Sequence, residues 1–545
     1  MLALSVLTAR AVAARAQATA EGGPAGPVEG RSRILLVLPF DNRSGQPSLE
    51  WIREAAPEIL SSRFASAGFA PMSREDRRYA LDHLGLPQGF HPSRASSLKL
   101  AETLDAYSIV VGSYLTDGTG IVAEAQVVDV LHLRMSAAVG ARGEMRDLIA
   151  VFDSLAWKLT RELDPGFSGS EETFVAAGAG LRLDAFEQYI RGITEPDQQE
   201  RLRHLKLAVQ ESPEFGPAWM ALGREDYNGQ QYEEAAAAFA KVGGGDSGAL
   251  EPDALEAGFY RGLSLLFSGD YRKAEEAFEG VARVLPLAEV LNDEGVAVSR
   301  QGRDGIASFS QAEASDPNAA DYHFNLAVSL KREGKAAEAL AELTQCLRLR
   351  PNDSEAQELL AAWKSPSGAA GAGAGASEGA NGEAELKADP LERIARNFDA
   401  VAFRQAALVL DQMDASRLAA LTPVERVRKL AAQAKDYLDR GLLLEAERLY
   451  QSAVAADGRL AEAHAGLAEV RERTGDAEGA RKEARAALEL APSADAYLVL
   501  ARLDLAASRL DEADKDVSQA LALNPASRVA QELRRQIEAR EEPKK

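Results

Sequence analysis

The feature that most limits what this chain can become is self-similarity at a spacing near 34 residues. Ala446 and Ala480 lie 34 apart, Pro317 and Pro351 lie 34 apart, and Ala480 and Ala513 lie 33 apart. A period of this size marks a stacked array of small units. No single unit can bury its own apolar face, so stability has to come from its neighbours. Asp321–Asp353 shows one unit clearly, with Leu326, Ala327, Gly334, Ala339, Leu343, Cys346 and Pro351. Ala461–Pro492 repeats it with Leu467, Ala468, Gly475, Ala480, Ala484, Ala487 and Pro492. Small residues let two helices approach closely, large ones fill the gaps between units, and proline ends the second helix.

This pattern resembles the tetratricopeptide repeat, which implies pairs of antiparallel helices wound into a superhelix. Other units register on the same frame. They are carried by Trp219, Gly223, Tyr232 and Phe239, by Gly262, Gly269, Tyr271 and Phe278, and by Leu291, Gly295, Gly302 and Phe309. The last of these is two residues short at its inter-helix turn. Further units hold Gly441, Ala446 and Tyr450, and Tyr497, Ala501, Ala513 and Pro525. Phe186–Pro213 reads as a degenerate opening repeat, and Ser527–Arg540 as a charged helix covering the far end. Ser365–Gly382 holds six Gly and six Ala in 18 residues, the composition of a flexible linker. The expected division is therefore a first array over 181–364, a linker over 365–389 and a second array over 390–545. Leu391–Leu421, apolar on one face, is expected to be helical and to open the second array.

The segment 33–165 follows other rules. Ile34–Leu38 is a continuous apolar run ended by Pro39, which suits a strand buried on both faces. Helical spacing covers Leu49–Phe64, with Pro57 inside it, then Arg74–Leu84, Arg94–Leu104 and Leu148–Leu163. Tyr107–Leu115 and Ile121–Asp129 flank the turn Asp117-Gly118-Thr119-Gly120, a hairpin signal. Leu133–Ala141 is expected as a third strand. The run Ile34-Leu35-Leu36-Val37-Leu38-Pro39-Phe40-Asp41-Asn42-Arg43-Ser44-Gly45-Gln46-Pro47 resembles the opening of the TolB amino-terminal-like domain. Ile109-Val110-Val111-Gly112-Ser113-Tyr114 and Ala125-Gln126-Val127-Val128-Asp129 resemble that family's hairpin. The resemblance implies a module that supports assemblies and carries over no catalytic residue. The fold class expected for the whole chain is an α/β N-terminal domain followed by a predominantly all-α solenoid in two arrays.

Over 545 residues, acids exceed bases 84 to 62, a net charge of −22. That argues against a protein that coats nucleic acid, which needs clustered Lys and Arg. Cys346 is the one cysteine, so no internal disulfide and no Cys-based zinc pattern is expected. No stretch of 18 apolar residues occurs, so no transmembrane span is expected. Residues 1–32 read as a signal peptide and linker, with Ala16-Gln17-Ala18 resembling a cleavage site; a cytoplasmic lead is the alternative. No nearby cysteine suits a lipid anchor. A periplasmic or cell-envelope location is the corresponding expectation.

The chemistry-bearing residues form no familiar constellation. His83, His91, His132, His204, His323 and His464 show no HExxH pair. His323 and His464 occupy a repeat position that usually holds a packing residue. Gly371-Ala372-Gly373-Ala374-Gly375 lacks the strand and helix that a nucleotide loop needs. Cys346 sits where the repeat wants a small buried side chain. Asp41 and Asn42 follow a strand and suit turn formation better than ligand binding. The chain is therefore expected to be a non-catalytic protein-interaction scaffold with no cofactor or metal, its partners other proteins or peptide segments. A small-ligand sensor using a pocket near Asp41, Asn42 and Gly112 is the second reading.

In the repeat family, the first helix of each pair lines the concave face. The frame then places Met220, Arg224, Tyr227, Phe259, Leu266, Phe267, Arg300, Phe324, Lys331 and Arg332 on that face. Such a mixture of rings, aliphatic groups and cations suits a short peptide with apolar anchors and acidic flanks. The alternative for Phe259, Leu266 and Phe324 is packing between repeats.

Overall fold

A computed structural model of the protein describes residues 33–541, apart from 88, 90–92, 117–118, 244–251, 365–389, 400–402, 404–405, 407–412 and 414–415. The expected leader, the Gly/Ala stretch, His91 and the first half of the 117–120 turn lie outside the described residues. The chain forms two compact units, one of Met1–Gly180 with Thr422–Lys545, the other of Leu181–Leu421.

In the first unit an α/β sheet is built on β1 (Ile34–Val37), which pairs in parallel with β3 (Ala70–Pro71) and β4 (Ser108–Thr116). β4 turns into β5 (Gly120–Asp129) as an antiparallel hairpin, from Ser108↔Asp129 to Thr116↔Ile121. β2 (Asp41–Asn42) adds to β4. The apolar run of β1 is buried as expected, with Leu36 and Leu38 packed among Ala80, Leu100 and Ile109. Two helices, Arg74–His83 and Arg94–Thr103, connect β3 to β4. Each starts on a serine whose hydroxyl accepts a backbone N–H, Ser73 from Asp76 and Ser93 from Ser96. The strand expected over Leu133–Ala141 forms instead as β6 (Arg134–Met135) and β7 (Val139–Glu144). Between them the Ser136 hydroxyl accepts the Val127 N–H at 3.0 Å, taking a carbonyl's place in the ladder.

The two sequence motifs of this domain meet in space. The Phe40 ring is fully buried, lies edge-on to Phe152 at 5.7 Å, and covers Gly112 so closely that a Cβ there would come within 2.3 Å of it. Asn42 organises its own loop, accepting the Ser44 N–H at 3.0 Å and donating to the Gln46 carbonyl at 3.1 Å and to Glu50 at 3.0 Å.

The same unit contains the second array, from helix Pro423–Asp439 to helix Leu510–Leu523. Helices Ala461–Thr474 and Ala477–Leu490 meet through Ala465, Ala468, Ala480, Ala484 and Ala487, all buried. Helix Arg528–Glu541 closes the end, laying Ala530, Leu533 and Ile537 on Val517 and Ala520. A helix not foreseen from sequence, Glu171–Ala177, packs on helices Leu443–Ala456 and Ala461–Thr474. Glu447, fully buried, accepts the Ser170 N–H at 3.3 Å, and Ser168 exchanges hydrogen bonds with Gln451 at 2.8 and 2.9 Å.

The second unit stacks helix pairs from Leu183–Thr194 with Gln198–Glu211 to Ala320–Arg332 with Ala336–Leu349. One device recurs through it. Gly223, Gly262 and Gly295 on first helices lie under the rings of Phe239, Phe278 and Phe309 on second helices. A Cβ at these glycines would fall 2.8, 2.6 and 2.7 Å from the ring. The third unit's short turn brings its ring two residues nearer in sequence and keeps the same contact.

Candidate groove of the first array

Three first helices, Pro252–Ser268, Ala288–Arg300 and Ala320–Arg332, present one common face. Two of them carry polar groups where an amphipathic helix would bury apolar ones. Asn292, Asp293 and Asn325 are at most 1% exposed. Burying such groups is unfavourable unless each finds a partner. Their partner here is the main chain of Pro390–Asp399.

Pro390–Asp399 has no regular secondary structure, so the helix expected to begin at Leu391 does not form there. The segment packs on the first array and does not open the second. The backbone donors of Arg393, Ala395 and Asp399 are taken up by side chains of the array and so are not free to bond a carbonyl four residues back. The Arg393 N–H donates to Asn325 Oδ1 at 2.7 Å, while the Arg393 carbonyl accepts from Asn325 Nδ2 at 2.7 Å and from Asn292 Nδ2 at 3.0 Å. The Ala395 N–H donates to Asp293 Oδ1 at 2.8 Å, and the Asp399 N–H to Glu289 at 3.0 Å. Asn325 also donates to Asn292 Oδ1 at 2.8 Å, which ties two repeats together 33 residues apart.

The side chains of the segment are gripped in turn. The Glu392 carboxylate, 1% exposed, pairs with Arg300 at 3.3 Å and with Arg332, and accepts from the Ser299 hydroxyl. Arg393 points to an acidic cluster, reaching Asp353 at 2.6 Å, Asp321 at 2.9 Å and Glu355 at 3.0 Å. Its guanidinium lies 3.6 Å from the Phe324 ring centroid, a cation–π contact on top of the ion pairs. Ile394 and Phe398 pack against the array's core. The Phe398 ring is 5.7 Å from Phe259, and Arg396 lies 5.5 Å from the Phe267 centroid.

The electrostatics follow from these contacts. The hydrogen bonds from Arg393 hold the Asp353 carboxyl below the usual carboxylate range. Burial pushes the Asp321 carboxyl up, but hydrogen bonds from Arg350 and Arg393 outweigh it and leave it below its ordinary value. Asp293 is the opposite case. Burial pushes its carboxyl well above the ordinary value, and its Oδ2 has no hydrogen-bond partner among the described residues.

Of the residues expected on the concave face, Phe259, Phe267, Arg300, Phe324 and Arg332 touch this segment. Tyr227 lies edge-on to Tyr260 at 5.5 Å and tilted against Phe267 at 6.2 Å beside it. The other four are used elsewhere. Met220 and Leu266 are buried among their own repeats, because a one-position error in the frame turns a groove residue into a core residue. Arg224 pairs with Glu256 at 2.5 Å, and Lys331 lies over Trp363 at 5.7 Å. The groove is also not only cationic, since Asp321, Asp353 and Glu355 make half of it acidic. Sequence reasoning passed over Asn292, Asp293 and Asn325. The available signal was an asparagine recurring at the repeat spacing inside an otherwise apolar helix.

Cys346 is fully buried, and burial pushes its thiol up to about 11, far from a thiolate at neutral pH. His323 and His464 are not plain packing residues. Each ring joins a glutamate 19 residues on, Glu342 or Glu483, at 2.7 Å, and a carbonyl six residues back, at 3.1 or 3.2 Å. Among the described residues no group of His, Cys, Asp and Glu is placed to hold a metal, and no helix is long and apolar enough to cross a membrane.

Residues 320–353 match the family model described as tetratricopeptide repeat. No curated protein matches the sequence. Among solved structures, MamA 41-end from Desulfovibrio magneticus RS-1 is 22% identical and covers 34% of this chain and 100% of its own, with a TM-score of 0.27. YrrB, titled a TPR protein with an unusual peptide-binding site, is 16% identical over 38% of this chain and 97% of its own, with a TM-score of 0.28. The LpoB C-terminal domain from Escherichia coli is 20% identical over 21% of this chain and 82% of its own, with a TM-score of 0.19. At these scores the likenesses carry no functional argument. Residues 320–353 are thus similar in sequence to a tetratricopeptide repeat, and the helix pairs stacked around them build an α-solenoid.

Proposed function

We propose that the protein is a non-catalytic interaction scaffold whose first array takes extended peptide segments in its groove. One observation carries this reading. The array holds Arg393, Ala395 and Asp399 by their main-chain groups. Main-chain hydrogen bonds read an extended backbone and not a particular sequence, so the same side chains suit a peptide from another protein. The tetratricopeptide match over 320–353 falls on the helix that supplies Phe324, Asn325 and Arg332, and supports the reading. We take the α/β domain as TolB amino-terminal-like on its Pro39-Phe40 and Gly112-Ser113 motifs. A ligand-sensing role for it finds little support, since the Phe40 ring fills the space over Gly112 and the Asn42 amide is spent within its own loop.

The test is affinity capture from native cells with the chain tagged at Lys545, natural and Asn292→Ala/Asn325→Ala baits side by side. Partners held by the natural chain and lost from the double variant are the expected result. Equal retention by both would reject this groove in favour of the α/β domain or the second array.

A further inference from the structure

Asn292, Asn325 and Asp293 bond one another and the main chain of Pro390–Asp399, and it is this segment lying across them that completes their burial. Pro390–Asp399 is the occupant in place, and any other chain taking its position would have to offer the same groups hydrogen bonds in exchange for water. Its hold is of an exchangeable kind. Main-chain hydrogen bonds, the clamp on Glu392 and the acidic cluster around Arg393 carry the contact. Its apolar anchors are only half-buried, and Leu391 is 62% exposed. A segment serving as fixed core would bury such a side chain.

We propose that residues 391–399 are a resident competitor, and that the partner is an extended peptide of the same chemistry that displaces them. Resting on the groove being the partner site, this deepens the reading above. The pattern is set by what the groove offers. A carboxylate comes first, for Arg300 and Arg332. An arginine follows at once, for Asp321 and Asp353 beneath the Phe324 ring. A β-branched or aliphatic residue comes next, and an aromatic residue stands six positions after the carboxylate, against Phe259. Displacement exchanges each of these contacts for its like.

The full chain tests this with a fluorescein-labelled peptide copying Leu391–Asp399 and a scrambled control. A tethered competitor acts at an effective concentration on the order of millimolar, which lowers the apparent affinity of a free one. Disabling the resident by Arg393→Glu/Phe398→Ala is expected to tighten binding of the labelled peptide by roughly tenfold or more. Adding Asn325→Ala to that variant should abolish the gain. On the natural chain, which needs no substitution, saturating unlabelled peptide should accelerate amide exchange across 391–399 while the array's helices keep theirs. Equal affinity of natural and disabled chains, indifference to Asn325→Ala, or unaltered exchange at saturating peptide would each overturn the proposal. A natural dimer that Arg393→Glu/Phe398→Ala turns into monomers would assign the occupant to a second copy and overturn it too. Should the disabled variant lose helicity, the exchange measurement on the natural chain decides alone. Partner capture sensitive to Asn292→Ala/Asn325→Ala with no peptide effect would leave the groove reading standing and remove only the competition.

Discussion

Gly262 and Gly280 are 18 residues apart and sit in neighbouring helices, yet the same substitution should act on them with opposite sign. A Cβ on Gly262 would meet the Phe278 ring at 2.6 Å, whereas a Cβ on Gly280 meets nothing within 4 Å. Gly262→Ala should therefore destabilise the array by roughly 1–3 kcal/mol through overpacking. Gly280→Ala should stabilise it by roughly 0.5–1 kcal/mol, because the unfolded chain loses freedom at no steric cost. Urea unfolding of both variants checks the pair, and a shift of the same sign in both would show that the ring contact is not what selects glycine. The glycine–aromatic pattern was readable from sequence as a spacing of residue types. The hydrogen bonds of His323 and His464 were not, because their glutamates lie on the following helix and only the packed pair brings the groups together.

At the scale of elements, the turn between the two helices of a repeat bends through one left-handed residue. Gly269, Gly334, Gly441 and Gly475 fill that place with φ of 86, 76, 80 and 90°. Ser508 stands there with φ 58° and Gln230 with φ 60°. A side chain in this conformation costs about 1 kcal/mol or more. Ser508→Gly should raise the stability of the first unit by about 1 kcal/mol, less what the glycine loses in unfolded-state entropy. An unchanged or lowered thermal midpoint would mean that Ser508 makes a compensating contact. The segment 390–399 shows the reverse relation between sequence and element. Its apolar spacing suits a helix, but Asn325, Asp293 and Glu289 bind its backbone donors and it forms none.

Across the whole molecule, distant stretches of chain share one compact unit. Glu447 in the second array is fully buried and accepts the Ser170 N–H at 3.3 Å, and burial raises its carboxyl. Arg471 stands 3.6 Å from it. Glu447→Ala would take this acceptor from the Ser170 N–H and the Gln451 amide, while Arg471 keeps Glu483, at a cost of roughly 1–3 kcal/mol. Amide exchange should then quicken both in helix Glu171–Ala177 and in helices Leu443–Ala456 and Ala461–Thr474. Acceleration confined to the second array would show that the α/β side does not depend on this contact.

The repeat period by itself determined that helices pair and stack, because each pair's small residues, turn glycine and closing proline are local features within one unit. The strand run Ile34–Leu38 and the hairpin from β4 to β5 were determined in the same way, by side-chain pattern over a few residues. Only the tertiary structure decided that Glu171–Ala177 fastens to the second array and that Pro390–Asp399 crosses the first. Both depend on where buried acceptors such as Glu447, Asp293 and Asn325 find donors. A donor far along the chain leaves no periodic trace, and pairing it becomes favourable only once the array has folded and taken its polar groups out of water.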